Sequence, residues 1–275
     1  MSKARAYALK IIFMGSDRFV IPVLTALQEN FEVVAVVTAP QSPVCKFFKG
    51  KILTPEKLDE KFIKEIKKLT PNLIVVSSYG KIIPQEILDI PKYGALNVHP
   101  SLLPKYRGAS PVPAAILHGD TKTGVTIIKM DEKMDHGPLL ITKSFSLTGK
   151  EILPELINKL FQLGAELLVQ IIPNYIDGKI KPIGQNHAMA SFCQLIKRED
   201  GYFDINNPPS KEILDRMIRA YYPWPGVWTL FRQGSRGQAK IVKFLPGGLL
   251  QMEGKKPISF KDFLNGYPNF PIKVI

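Results

Sequence analysis

Short unbroken apolar runs alternate along the first half of the chain with stretches whose apolar positions recur every three or four residues. Residues 9–15 (LKIIFMG), 31–38 (FEVVAVVT), 72–78 (NLIVVSS), 94–99 (GALNVH) and 124–130 (GVTIIKM) read as buried strands. Residues 16–30 read as a helix with Ser16 as its N-cap. In the helix expected over residues 54–69, Thr54 is the cap and Pro55 lies in the first turn, while Leu58, Phe62, Ile66 and Leu69 form one apolar stripe. Residues 39–51 read as a loop, and residues 110–119 and 153–172 as further helices. The alternation predicts an α/β fold, an open, mostly parallel, Rossmann-like sheet with helices on its faces. Such sheets take ligands outside the carboxyl ends of their strands.

From residue 177 to 210 the chain has turn residues and little periodicity, so it reads as a connection. A helix over residues 210–221 follows, then PWPGVW and short apolar pieces broken by glycine. This implies a second, smaller, mostly-β domain. The expected organisation is a catalytic sheet domain over residues 1–190, a linker over 191–206 and a C-terminal domain over 207–275.

Charge sharpens this picture. The 275 residues carry a formal charge of +13, and residues 207–275 alone hold 11 Lys or Arg against 4 Asp or Glu. Such a field suits an anionic partner, whether nucleic acid, anionic lipid or a phosphorylated substrate, or else a solvated basic surface. Two cysteines, Cys45 and Cys193, can build no disulfide framework and have no metal-ligand spacing, which fits a reducing cytoplasm. The opening MSKARAYALKIIFMGS mimics a leader, but its apolar part is short and meets Gly15, Asp17 and Arg18 at once. No apolar run approaches the roughly 20 residues of a membrane span, so no membrane partner is expected.

The chemistry concentrates in LNVHPSLLPKYRG, residues 96–108. Residues two apart in a strand share a face, so Asn97 and His99 point together at a carboxyl strand end while Val98 turns to the core. An amide and an imidazole are suitable donors for an oxygen gaining negative charge, as when an amine attacks a carbonyl carbon. On its own, Asn-x-His more often describes residues that satisfy local backbone groups at a turn. The later stretch TGVTIIKMDEKMDHGPLL runs a strand into an acidic loop, from which Asp135 could return to hold His99 charged or move a proton.

These residues resemble the methionyl-tRNA formyltransferases, within the wider family of enzymes that use 10-formyltetrahydrofolate. The resemblance spans nearly the whole chain. It includes IIFMGSDRFVIPVLTAL, the long block ending in NVHPSLLPKYRGASPVPAAILHGD, IRAYYPWPGVWT and the closing MEGKKPISFKDFLNGYP. It implies that Asn97, His99 and Asp135 are the catalytic residues. It places the folate co-substrate on the turn Ser101, Leu102, Leu103 and Pro104, and on the SYGKIIP segment with Tyr79, Gly80 and Ile82. It implies initiator methionyl-tRNA as acceptor, no metal and a monomer.

Two regions depart from the family pattern. The long basic loop after the second strand is reduced to APQSPVCKFFKGKILTPEKL, and the C-terminal domain is a shortened, barrel-like module. Lys46, Lys49 and Lys51 around Phe47 and Phe48 fit a basic-aromatic contact with a nucleic acid end, or an ordinary loop with both phenylalanines tucked inward. Arg232, Arg236, Lys240 and Lys243 are the expected tRNA contacts of the C-terminal module. Trp224 and Trp228 are either a packing seam or stacking platforms. His187 reads as a residue of the connecting segment, and His118 as a helix-end residue. The alternative acceptor is an amino sugar nucleotide, against which PWPGVWT and the basic C-terminal end argue.

Overall fold

The protein is described here by a computed structural model covering residues 9–233 and 237–272. In chain order its elements are β1 (Lys10–Met14), α1 (Ile21–Asn30), β2 (Glu32–Val37), α2 (Pro43–Phe47), β3 (Ile52–Leu53), α3 (Glu60–Lys68) and β4 (Leu73–Val76). There follow α4 (Gln85–Leu88), β5 (Ala95–His99), β6 (Arg107–Gly108), α5 (Pro111–Leu117), β7 (Lys122–Lys129), β8 (Leu139–Ser146) and α6 (Leu153–Ile176). The last are β9 (Phe192–Cys193), α7 (Lys211–Tyr221), β10 (Val227–Arg232), β11 (Ala239–Leu245), β12 (Leu249–Met252), β13 (Ile258–Ser259) and α8 (Phe260–Gly266).

The chain divides into two units, interleaved along the sequence. The first takes the chain up to Ala109, with Thr123–Phe145 and Ile157–Cys193. The second takes Ser110–Lys122, Ser146–Leu156 and the chain from Gln194.

The first unit is built on a seven-stranded sheet in the order β3-β2-β1-β4-β5-β7-β8. The neighbours from β3 to β5 are parallel, and β7 runs antiparallel to β5. In β1 and β4, residues 11–14 and 73–75 have no measurable exposure, as expected of strands covered on both faces. Register places Asn97 opposite Val76 and Ile128, and His99 opposite Thr126. Helix α6 meets β5 at Gly164, where an added Cβ would stand 2.5 Å from Val98 Cγ1 and 3.3 Å from Val125 Cγ1. Val98 is thus pinned on the helix side of the sheet, which leaves Asn97 and His99 on the other.

Several local expectations are corrected. Ser16 does not cap a helix: its Oγ accepts from the Ala39 backbone N–H, and Asp17 caps a single 3₁₀ turn before α1. Both residue types cap well, so sequence could not rank them. Helix α3 starts not at Thr54 but behind Asp59, whose carboxylate accepts from the Phe62 N–H. Its stripe does face the core, with Phe62 and Ile66 buried and Leu58 and Leu69 packed alongside. Fully burying a side chain of that size contributes about 1.5–3 kcal/mol. The loop over residues 39–51 contains α2, and α6 continues past Ile172 through Pro173 to Ile176.

In the second unit β10, β11, β12 and β13 form one antiparallel sheet. Val227, Thr229, Phe231, Val242, Phe244, Leu250 and Met252 are buried, as are Phe263 of α8 and Phe270. Edge-to-face contacts of Phe270 with Phe231 (5.1 Å) and Phe263 (5.0 Å) tie sheet and helix together. Helix α7 packs on α5 in the same unit. Among the described residues no helix is long and apolar enough to cross a membrane.

Candidate active site

Strand β5 ends at His99, and the chain turns at once, with the Ser101 N–H donating to the His99 carbonyl. Asn97 is half-buried and His99 is 4% exposed. The loop between β7 and β8 folds back along β5 and delivers Asp135, which adopts φ 49°. Asn97 Nδ2 donates to Asp135 Oδ1 at 3.1 Å, and His99 Nδ1 lies 3.5 Å from the same oxygen. The second carboxylate oxygen accepts from the Gly108 backbone N–H at 2.8 Å. Gly108 has φ 116°, and a Cβ there would overlap the Cys193 carbonyl, so the close approach of β6 to β9 requires glycine.

His99 Nε2 lies 2.9 Å from the Tyr106 carbonyl. A carbonyl only accepts, so Nε2 carries a hydrogen and Nδ1 is the nitrogen that faces Asp135. The pair can therefore hold or release a proton at Nδ1 without turning the ring. Of the three side chains expected to be catalytic, Asn97 and His99 thus converge on one oxygen of the third, Asp135 Oδ1.

The residues expected around the folate fall into two groups. Ser101 and Leu103 are buried, and Leu102 and Pro104 are half-buried. Thr126 Oγ1 fixes this turn, donating to the Ser101 carbonyl and accepting from the Leu103 N–H. Tyr79 packs into the core cluster of Ile83 and Ile87, whereas Gly80 is exposed and Ile82 is 77% exposed. Tyr79 Oη and Ser77 Oγ are buried without a hydrogen-bond partner. Burial pushes the Tyr79 phenol up to about 12, so it stays a neutral donor. Exposed Ile82 lies in the segment that follows β4, and half-buried Leu102 in the turn that follows β5, the strand beside it in the sheet.

Lys46, Lys49 and Lys51 are exposed around α2 and β3; Phe47 is 39% exposed and Phe48 is buried, so one of the two phenylalanines is tucked inward and the other is not. Lys51 pairs with Glu65 at 3.1 Å. Arg232 and Lys243 lie on the outer face of the second unit's sheet, and Lys240 lies opposite Phe231. Arg236 is outside the described residues. Trp228 shares that outer face, 4.8 Å from Tyr202, with Arg198 5.7 Å from its ring, and Trp224 is 58% exposed. His118 ends α5, its Nδ1 donating to the Ala114 carbonyl at 2.8 Å.

Sequence reasoning missed the group behind Asp135. Buried Arg107 donates through Nη2 (2.6 Å) and Nε (3.2 Å) to Gln185 Oε1, and through Nη2 to His187 Nδ1 (2.8 Å). His187 stacks on His136 with centroids 4.0 Å apart and planes 2° from parallel, and His136 Nδ1 donates to Asp131 at 2.6 Å. The segment 177–210 offered no periodicity to reveal this; its only clue was a run of Gln, Asn and His. Among the described residues no three or more His, Cys, Asp or Glu are placed to share a metal ion.

Residues 10–172 match the family model for formyl transferases. The methionyl-tRNA formyltransferase of Myxococcus xanthus is 34% identical over 307 aligned positions, covering 95% of this chain and 96% of that one. That of Chloroflexus aurantiacus is 40% identical over 240, covering 82% and 77%. A solved 4-N formyltransferase from Francisella tularensis superposes with a TM-score of 0.69 over 87% of this chain and 98% of that one, and its 18% identity speaks to the fold alone. With its domain matched and its length shared with such relatives, the chain belongs to the formyl transferase family, among the methionyl-tRNA formyltransferases.

Proposed function

We propose that this protein transfers the formyl group of 10-formyltetrahydrofolate to the α-amino group of initiator methionyl-tRNA. The observation that carries the chemistry is the convergence of Asn97 Nδ2 and His99 Nδ1 on one oxygen of Asp135. The co-substrate supplies an electrophilic formyl carbon. Ile82, Leu102 and the 101–104 turn hold its ring system. Asn97 and protonated His99 present hydrogen-bond donors where a carbonyl oxygen gains negative charge, preorganised in a largely buried setting. Asp135 forms an ion pair with His99 when the imidazole is protonated, takes the proton that the attacking amine loses, and passes it to N10 of the folate as the bond between N10 and the formyl carbon breaks, leaving tetrahydrofolate. The Tyr106 carbonyl keeps Nε2 occupied, so the Nδ1 hydrogen is the one that faces the site.

The acceptor assignment is supported by relatives 34–40% identical named for methionyl-tRNA. Solved sugar N-formyltransferases share the fold at 15–18% identity, which does not favour a sugar nucleotide acceptor. The basic excess in residues 207–275 supports an RNA partner. The test is mass analysis of initiator methionyl-tRNA after incubation with the protein and 10-formyltetrahydrofolate. Formylmethionine on the tRNA is expected. Formylation of a sugar nucleotide with none of methionyl-tRNA would overturn the proposal.

A further inference from the structure

The carboxylate of Asp135 is held from the front by Asn97 and Gly108, but its backbone is held from behind. Gln185 Nε2 donates to the Asp135 carbonyl at 2.8 Å and to the Gly137 carbonyl at 2.7 Å. Both amide hydrogens are thus spent on the two carbonyls that bracket the turn. Gln185 Oε1 accepts both bonds from Arg107, so the amide can neither flip nor swing. Gln185 is 7% exposed and Arg107 4%, so neither can exchange these bonds for water without opening the site. Arg107 is followed by Gly108, whose N–H reaches the Asp135 carboxylate. One two-residue strand therefore governs both supports of Asp135: its side chain through the Gly108 N–H, and its backbone through Arg107 and Gln185.

A left-handed turn at a non-glycine residue, as at Asp135, is strained and persists only where its surroundings over-determine it. The two Gln185 bonds, to the carbonyls of Asp135 itself and of Gly137, supply that constraint. We propose that Gln185, locked by Arg107, is the positioning residue that sets the Asp135 carboxylate for proton transfer; this rests on the formyl-transfer reading above.

The experiment compares Gln185→Met, which keeps length but removes every hydrogen bond, with Gln185→Glu, which sets a carboxylate against the two carbonyls. Both are measured with methionyl-tRNA and 10-formyltetrahydrofolate, alone and in an Asp135→Asn background. A misplacement of about 1 Å can cost on the order of 100-fold in rate. We expect kcat to fall about tenfold or more, with KM for both substrates unchanged within about twofold. In the Asp135→Asn background we expect no further loss. Arg107→Lys, which keeps the charge but not the two-point grip, should give an intermediate kcat. Wild-type kcat in Gln185→Met, or an equal further loss on top of Asp135→Asn, overturns the proposal. A crystal structure of Gln185→Met gives a readout free of turnover: Asp135 Oδ1 should move out of reach of Asn97 Nδ2. An unmoved Asp135 overturns the positioning role whether or not the protein formylates. An Asp135 that moves in a protein whose wild type formylates nothing overturns the reading of function alone.

Discussion

Asn97 Nδ2 and Asp135 Oδ1 stand 3.1 Å apart although 38 residues separate them in the chain. Strand alternation brings Asn97 to the site and a left-handed turn brings Asp135, so neither is positioned by the other's element. Their contact is the meeting point of the sheet and the loop, and the chemistry depends on both being rigid.

Loss of one such donor should show directly in turnover. Asn97→Ala and His99→Ala should each lower kcat by roughly 10²–10³ while the melting temperature stays near that of the wild type. Asp135→Ala should do the same, since it strips His99 of its ionic partner. Steady-state kinetics beside thermal melts decide this; near-normal kcat in His99→Ala would remove His99 from the chemistry.

Gly164 offers a test of how the sheet holds the site. Alanine has better helix propensity than glycine by about 1 kcal/mol, which would favour Gly164→Ala. Here the added Cβ meets Val98 Cγ1 at 2.5 Å, and overpacking typically costs 1–3 kcal/mol. The larger Gly164→Val makes the sign unambiguous. Its melting temperature should fall by several degrees, at about 2–4 °C per kcal/mol for a domain of this size. Because Val98 sits between Asn97 and His99, kcat should fall as well. An unchanged melt would mean that α6 and β5 do not touch as described.

Much of this was legible in sequence, for physical reasons that can be named. Residues 97–99 show period-two alternation, so the shared face of Asn97 and His99 followed from strand geometry alone. The buried strands β1, β4 and β5 were readable because parallel strands are apolar on both faces. β8 was not: all its residues are half-buried or exposed, and the apolar run that opens LLITKSFS is only three residues long. Gln185 could not be found either. It lies 50 residues from Asp135, and its role comes from two main-chain carbonyls that no side-chain pattern encodes. Leu103 read as a pocket residue, yet only 6% of it is exposed.

That burial determines how the folate surface is best probed. Leu103→Asp would bury a charge and unfold the turn, whereas Ile82, 77% exposed, can change without touching the core. Ile82→Asp should weaken binding of 10-formyltetrahydrofolate about tenfold and leave the melting temperature and methionyl-tRNA affinity unchanged. Titration calorimetry with each ligand measures this, and an unaltered folate affinity would take Ile82 off the binding surface.

His187 adds a pH dependence. It accepts from Arg107 at Nδ1, so it must be neutral there. Desolvation, then the charges of His136 and Arg107, hold its imidazole below the usual value of 6.5, with Lys133 adding to this and Asp131 opposing it. A histidine with a depressed folded pKa contributes stability that is present above its unfolded value and lost as pH falls through the folded one. The melting temperature should therefore drop on acidification below about pH 6.5. His187→Gln, which accepts from Arg107 without titrating, should show a smaller drop. Identical pH profiles for the two proteins would exclude His187 as the titrating group.

The two basic regions should separate in their response to salt. Each phosphate contact contributes about 0.9 to the slope of log K against log salt for duplex and about 0.7 for single strands. Lys51 is paired with Glu65, but both are more than 40% exposed, and such surface pairs are worth about 0–1 kcal/mol, so the pair does not withhold Lys51 from a phosphate. If affinity rests on the second unit, replacing Arg232, Lys240 and Lys243 with alanine should weaken tRNA binding and flatten the slope by roughly 2–3. Replacing Lys46, Lys49 and Lys51 should lower single-turnover formylation more than affinity, because a displaced acceptor end loses its angle of attack. Filter binding across a salt series, with single-turnover rates on the same two variants, distinguishes them. Loss of most of the affinity in the Lys46, Lys49 and Lys51 variant, with little change in the other, would reverse this division between grip and placement.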